Sequence, residues 1–282
     1  MTATLYLDCR TKNKGGAVAS VATLYESDGL APGPHGLTPR SLSASEQTAD
    51  VVLATHGFNV SREGGITGLA ALRRDLNLPP RTLFIGVLWP GDFWIPFINY
   101  PSEASDAVQC GKLVAAFVNA NLTSASSISL VSHSLGARVV LEATRLINRR
   151  VQELCVTAAA ADDDCLAGQY DAARRNAERT SVLCSVKDGV LQLAYPVGDF
   201  GSDVFWRDND SPWRGALGLH GPRKPDKPEK VYPFPIPKTD HYGHLDYFPA
   251  GGAHVPGAKS ERPVQFIHER LTGQPSAWPP IA

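Results

Sequence analysis

Ser127-Ile-Ser-Leu-Val-Ser-His-Ser134-Leu-Gly136-Ala-Arg-Val-Val-Leu decides the reading of this chain. A β-branched apolar run turns through Ser-His-Ser-Leu-Gly directly into a helical pattern. Serine on a sharp strand-to-helix turn has its hydroxyl exposed at the top of a sheet, and small flanking residues let its strained backbone approach neighbouring segments. The usual pattern for such a turn is Gly-x-Ser-x-Gly. Here Gly136 fills the last position and Ser132, still small, replaces the first glycine. Ser134 is the candidate nucleophile, and its setting decides whether the motif carries chemistry or arose by chance.

That setting begins with Val51-Val-Leu-Ala-Thr-His56-Gly57-Phe58-Asn59, an apolar run that ends in His-Gly-Phe. Taken alone it is an ordinary strand-to-loop turn with Gly57 easing the bend. Together with the serine turn, it resembles bacterial serine hydrolases of the α/β-hydrolase superfamily, in the branch whose first loop reads His-Gly-Phe-Asn. The resemblance runs over roughly residues 50 to 272, anchored at His56 to Asn59 and Ser132 to Gly136. It implies an α/β fold with a mostly parallel central sheet and helices on both faces. It also implies an oxyanion hole built from the N–H groups of Phe58 and Leu135, and a triad whose acid and then histidine follow the serine in the chain.

Thr180-Ser-Val-Leu-Cys-Ser-Val-Lys-Asp188-Gly189 is a β-rich run ending in Asp-Gly, so Asp188 is the candidate acid. It would accept the imidazole N–H and fix the tautomer, although Asp-Gly is also a common turn dipeptide. Asp162, Asp163 and Asp164 follow another apolar run and are its rivals; as a cluster they also read as a metal site or, more simply, as a solvated helix-start cap. His244, in Gly-His-Leu-Asp-Tyr-Phe, is the candidate general base, with Gly243 letting the loop turn and the aromatic pair behind it packing the loop. His241 is the rival, His254 reads as a loop residue, and His133 reads as a packed or hydrogen-bonded neighbour that points away from the nucleophile.

Composition is consistent with this chemistry. The chain has 282 residues and 43% hydrophobic content, enough for one α/β domain over 1–282 with a large core. A net charge of -1 gives no basic footprint for nucleic acid and no polybasic membrane anchor. The N-terminus lacks the basic start and apolar core of a signal peptide, and no apolar run is long enough for a bilayer. A cytoplasmic location is expected. The five cysteines form no metal-spaced pair and read as buried free thiols, Cys184 being a remote rival nucleophile.

Periodicity places strands at 3–8, 17–25, 51–55, 81–89, 127–132, 154–160 and 180–186, with helices at 65–76, 104–121, 135–149, 168–178 and 262–272. Alternation of this kind specifies a parallel sheet covered on both sides. A Gly/Pro/Ser-rich loop spans 28–48. Two further segments, near 89–105 and 196–240, break the alternation and hold four of the five tryptophans, which makes Trp94 and Trp206 candidate walls for an apolar substrate group or, equally, seals of the sheet edge.

These readings converge on a serine carboxylic-ester hydrolase that acts on a small-molecule ester and, by the resemblance, needs no metal or organic cofactor. A lipase, thioesterase, amidase or acyltransferase would present the same residues, and a catalytically silent hydrolase fold used for binding is the alternative from another class. The sequence is silent on oligomeric state.

Overall fold

The computed structural model describes residues 3–31, 34–91, 100–192, 215–223, 229–249 and 255–279. Its strands are β1 (Thr4–Arg10), β2 (Val18–Ser27), β3 (Thr38–Pro39), β4 (Asp50–Thr55), β5 (Thr82–Leu88), β6 (Ser127–His133), β7 (Val151–Thr157), β8 (Ala177–Cys184) and β9 (Val231–Pro235). They form one sheet in the order β3-β2-β1-β5-β4-β6-β7-β8-β9. Every neighbouring pair from β1 to β9 is parallel, and only the β2 pairings are antiparallel. This is the α/β-hydrolase fold that the resemblance implied, with the parallel, helix-covered sheet that the alternation of elements specified.

The central strands β1, β4, β5 and β6 are buried along nearly their whole length because helices cover both faces of the sheet. Helix α2 (Arg62–Leu76) packs with α7 (Glu261–Thr272) on one side; α3 (Tyr100–Asn121), α4 (Gly136–Leu146) and α5 (Asp171–Asn176) pack together on the other. The remaining short helices are α1 (Ala44–Gln47) and α6 (Leu217–His220). Among the described residues no helix is long and apolar enough to cross a membrane.

Chain direction creates the crevice. From β4 the chain runs through α2 to β5 on one side, whereas from β6 it runs through α4 to β7 on the other. Connections diverging from neighbouring parallel strands leave an opening at their carboxyl ends, which is where ligands bind in open α/β sheets. The loop after β4 begins with His56 and the turn after β6 holds Ser134.

Several sequence expectations shift. The strand expected at 154–160 is β7 at Val151–Thr157, because the alanines after Thr157 leave the sheet at Ala158, whose φ is 45°. The helix expected to reach residue 149 ends at Leu146, where the side-chain amide of Asn176 donates to the carbonyls of Thr144 and Ile147. The helix expected at 168–178 keeps only Asp171–Asn176, since Ala177 already starts β8. Within the expected loop 28–48, Ser43 and Glu46 form a capping box that starts α1.

Candidate active site

Ser134 sits at φ 54°, in the left-handed region that L-residues seldom adopt. The turn is held by its neighbours: the Ser134 N–H donates to the Thr157 carbonyl at the end of β7, and its carbonyl accepts from Ala137 and Ala160. Both backbone groups are therefore satisfied in a conformation that costs roughly 1 kcal/mol or more. Gly136 is required by close approach, because a Cβ there would lie 2.4 Å from the His56 carbonyl oxygen. Ser132 is fully buried, so the sheet accommodates serine where the motif has glycine.

Two loops bring the other candidates to this hydroxyl. His244 Nε2 lies 2.7 Å from Ser134 Oγ, and His244 Nδ1 lies 2.8 Å from Asp188 Oδ2. A carboxylate can only accept, so Nδ1 carries the proton and Nε2 faces Oγ as the acceptor. Asp188 is fully buried, and its other oxygen accepts from the N–H groups of Val190 and Leu191, the start of a helical turn. The Asp-Gly turn chemistry and the carboxylate aimed at His244 thus belong to the same residue. Ser185 ties the two loops together by donating its hydroxyl to the Tyr242 carbonyl.

The loop after β4 lies against the serine turn, with Gly57 so close that a Cβ would come within 2.9 Å of Ser134 Cβ. His56 has both ring nitrogens engaged by backbone groups. Its Nδ1–H donates to the Gly57 carbonyl, its Nε2 faces the Trp89 N–H, and its ring stacks on buried Trp89, whose indole donates to the His56 carbonyl. Arg10, buried at the end of β1, donates to the carbonyls of Val60 and Trp89 and so links the loops after β4 and β5. Among the described residues nothing accepts from the N–H of Phe58 or Leu135.

His133 does not compete for the nucleophile. Its Nε2–H donates to the backbone carbonyl of His244 at 2.7 Å, and its ring lies 4.9 Å from that of His244 and 5.4 Å from that of Phe248. Burial, reinforced by the nearby His244, pulls its pKa down to about 3. It stays neutral near neutral pH and braces the loop that carries His244. The motif placed it beside the serine, but only the fold shows what its ring supports.

Other sequence candidates lie elsewhere. His241 is exposed, and its carbonyl accepts from Lys259. In this loop the left-handed residue is His241, at φ 52°, whereas Gly243 makes its turn by donating its N–H to Asp246 and needs no glycine-only conformation. Asp163 and Asp164 pair with Arg223 rather than capping a helix or facing the serine, and Asp162 bridges to Ala216. Among the described residues no group of three or more His, Cys, Asp or Glu could hold a metal ion. Burial pushes the Cys184 thiol up to about 12, which removes the thiolate a nucleophile would need. Trp94, Trp206 and His254 lie outside the described residues.

A cavity of about 260 Å³ opens onto Ser134 and His244. Its walls are Phe58, Val60, Leu245, Phe248 and the glycine-rich start of α2. A larger one, about 460 Å³, lies across Leu245 and Phe248 toward α7 and reaches neither Ser134 nor Asp188. The smaller cavity is the relevant one because it alone, of the two, touches the hydrogen-bonded triplet.

Comparison with solved structures finds esterases of low sequence identity. Carboxyl esterase 2 from the mycorrhizal fungus Tuber melanosporum is 10% identical, with 96% of this chain and 87% of that one covered and a TM-score of 0.44. The hyperthermophilic esterase from the archaeon Pyrobaculum calidifontis is 12% identical over 96% of this chain and 83% of that one, at a TM-score of 0.46. A carboxylesterase from Mesorhizobium loti is 14% identical over 93% and 100%, at 0.39. At such identities and scores nothing about this chain's activity follows from their names. No curated protein matches the sequence. A family model does match, over residues 40–200, a span that includes the loop after β4, the serine turn and Asp188. Since that is more than half of the chain, the protein belongs to the family described as "Alpha/beta hydrolase of unknown function (DUF900)".

Proposed function

We propose that this chain is a serine carboxylic-ester hydrolase working through an acyl-enzyme on Ser134. The observation that carries this reading is the continuous relay from Ser134 Oγ to His244 Nε2 at 2.7 Å and from His244 Nδ1 to Asp188 at 2.8 Å. Ser134 Oγ attacks the ester carbonyl as His244 Nε2 takes its proton, a general-base contribution of typically about 10²- to 10⁴-fold. The carbonyl oxygen becomes an oxyanion held by the Phe58 and Leu135 N–H groups, each such donor being worth about 10²- to 10³-fold. His244 then passes the proton to the departing alcohol, leaving the acyl group on Ser134.

Deacylation repeats the cycle with water as nucleophile. His244 takes a proton from water, the tetrahedral intermediate collapses, and the proton returns to Ser134 as the acid product leaves. Asp188 stabilises the imidazolium in both halves. Its burial and its two backbone donors keep it oriented throughout. The test is a fluorophosphonate probe followed by peptide mapping. Labelling of the folded wild type at Ser134, lost in Ser134→Ala, is the expected result; a folded wild type that takes no label contradicts the proposal.

A further inference from the structure

Helix α2 begins Arg62-Glu-Gly64-Gly65-Ile-Thr-Gly68-Leu, three glycines within its first two turns. Glycine weakens a helix interior relative to alanine, so three of them need a reason. Packing supplies it for one. A Cβ on Gly65 would come within 2.9 Å of the His56 ring and of Leu88. No such reason exists for the other two: a Cβ on Gly64 would make only ordinary contacts with Ser61 and Val60, and one on Gly68 would meet nothing within 4 Å among the described residues. Neither Gly64 nor Gly68 has a positive φ.

What Gly64 and Gly68 share is the cavity. One helical turn apart, they lie on the same face of α2, and both line the space that opens onto Ser134 and His244. Phe58, Leu245 and Phe248 line the same space. A side chain at Gly68 would therefore project into the cavity. The acyl group stays attached to Ser134 after the alcohol has gone, so it must occupy space that reaches Oγ.

We infer that this cavity holds the acyl chain and that Gly68 sets how long a chain it admits. The inference rests on the acyl-enzyme reading above and deepens it: the substrate class becomes esters whose acyl part is an apolar chain laid along the bare face of α2. Pocket contacts discriminate by roughly 10- to 200-fold per methylene. A side chain at Gly68 should therefore penalise long acyl groups and spare short ones in relative terms.

The experiment compares wild type, Gly68→Ala and Gly68→Leu in kcat/KM for p-nitrophenyl acetate, butyrate and octanoate. A second arm uses acetate esters of methanol, butanol and octanol. Labelling by a small fluorophosphonate, mapped to Ser134, is run on all three proteins alongside a thermal midpoint. The expected result is a fall in the octanoate-to-acetate ratio of a few-fold in Gly68→Ala and about tenfold or more in Gly68→Leu, with the alcohol series unmoved. Gly68→Ala should melt no lower than wild type, so the test survives if the leucine variant does not fold. Unchanged acyl ratios in a variant that Ser134 labelling shows to be reactive overturn the inference and leave the esterase reading intact. A shift in the alcohol series alone overturns the acyl assignment. Absence of labelling in the folded wild type removes the esterase reading, and the inference falls with it.

Discussion

Ser134 holds its hydroxyl on a left-handed backbone with both peptide groups bonded, and that rigidity makes side-chain deletions interpretable. Ser134→Ala removes one oxygen and leaves the turn in place, so ester turnover should fall to a few per cent of wild type or less while the thermal midpoint stays. His244→Ala should cost about as much, because the members of a triad act as a unit. His241→Ala, on an exposed residue, should cost far less; the reverse ranking would contradict the relay. Asp188→Asn should lower kcat by about 10³- to 10⁴-fold, by analogy with the wrong tautomer in serine proteases. His133→Phe keeps a ring but loses the donor to the His244 carbonyl, a bond worth about 1 kcal/mol, so kcat should drop by roughly five- to tenfold with KM little changed. Rescue of kcat by His133→Gln, which keeps a donor, would separate positioning from packing. Most of these residues were legible in the sequence because a serine turn, an Asp-Gly and a Gly-His are local signals. That His133 is a hydrogen-bonded neighbour was legible as well, but its partner, the His244 carbonyl, and the stacking of His56 on Trp89 were not, since they depend on which loops the sheet places side by side.

Elements followed the sequence where periodicity was long and failed where it was short. The strand β4, the turn into α4 and the helix α3 stood out because their apolar patterns continue for at least five residues. β9, by contrast, contains Pro233 and Pro235, residues that read against a strand. It survives because it is the sheet's edge, pairing only with β8, so a missing N–H can face away from the ladder. The alanine run after β7 carried no period at all, and its left-handed turn at Ala158 is set by contacts with neighbouring strands. Elements also hold the site. Arg10 on β1 reaches the part-buried carbonyl of Val60 and the buried one of Trp89, so Arg10→Met should orphan the Trp89 acceptor at about 1 to 3 kcal/mol. Urea denaturation should show that loss of stability. An unchanged midpoint would mean that the loops after β4 and β5 do not depend on this tie.

At the scale of the whole molecule, one sheet carries both the candidate site and buried groups that bear on stability. Glu153 on β7 is fully buried beside Arg179, and burial outweighs that partner to raise its carboxyl to about 7. A folded pKa above the unfolded value means that the unfolded chain releases this proton first as pH rises. Below about pH 4.5 the group is neutral in both states; between there and about pH 7 it should progressively destabilise the fold, and above that the full cost remains. Glu153→Gln should therefore raise stability by about 1 to 3 kcal/mol at pH 8 and by little at pH 4.5. Equal gains at both pH values would contradict the raised pKa. Such a change lies on the sheet away from the cavity and should leave the pH profile of turnover alone. The proposed turnover rests on the relay between the turn after β6 and the two later loops, and the most direct check is the covalent intermediate itself. Wild type mixed with p-nitrophenyl butyrate and quenched within its first turnover should gain the mass of one butyryl group, on the peptide that contains Ser134, together with a stoichiometric burst of nitrophenol. Hydrolysis without that adduct, or an adduct that persists in Ser134→Ala, would contradict an acyl-enzyme on Ser134.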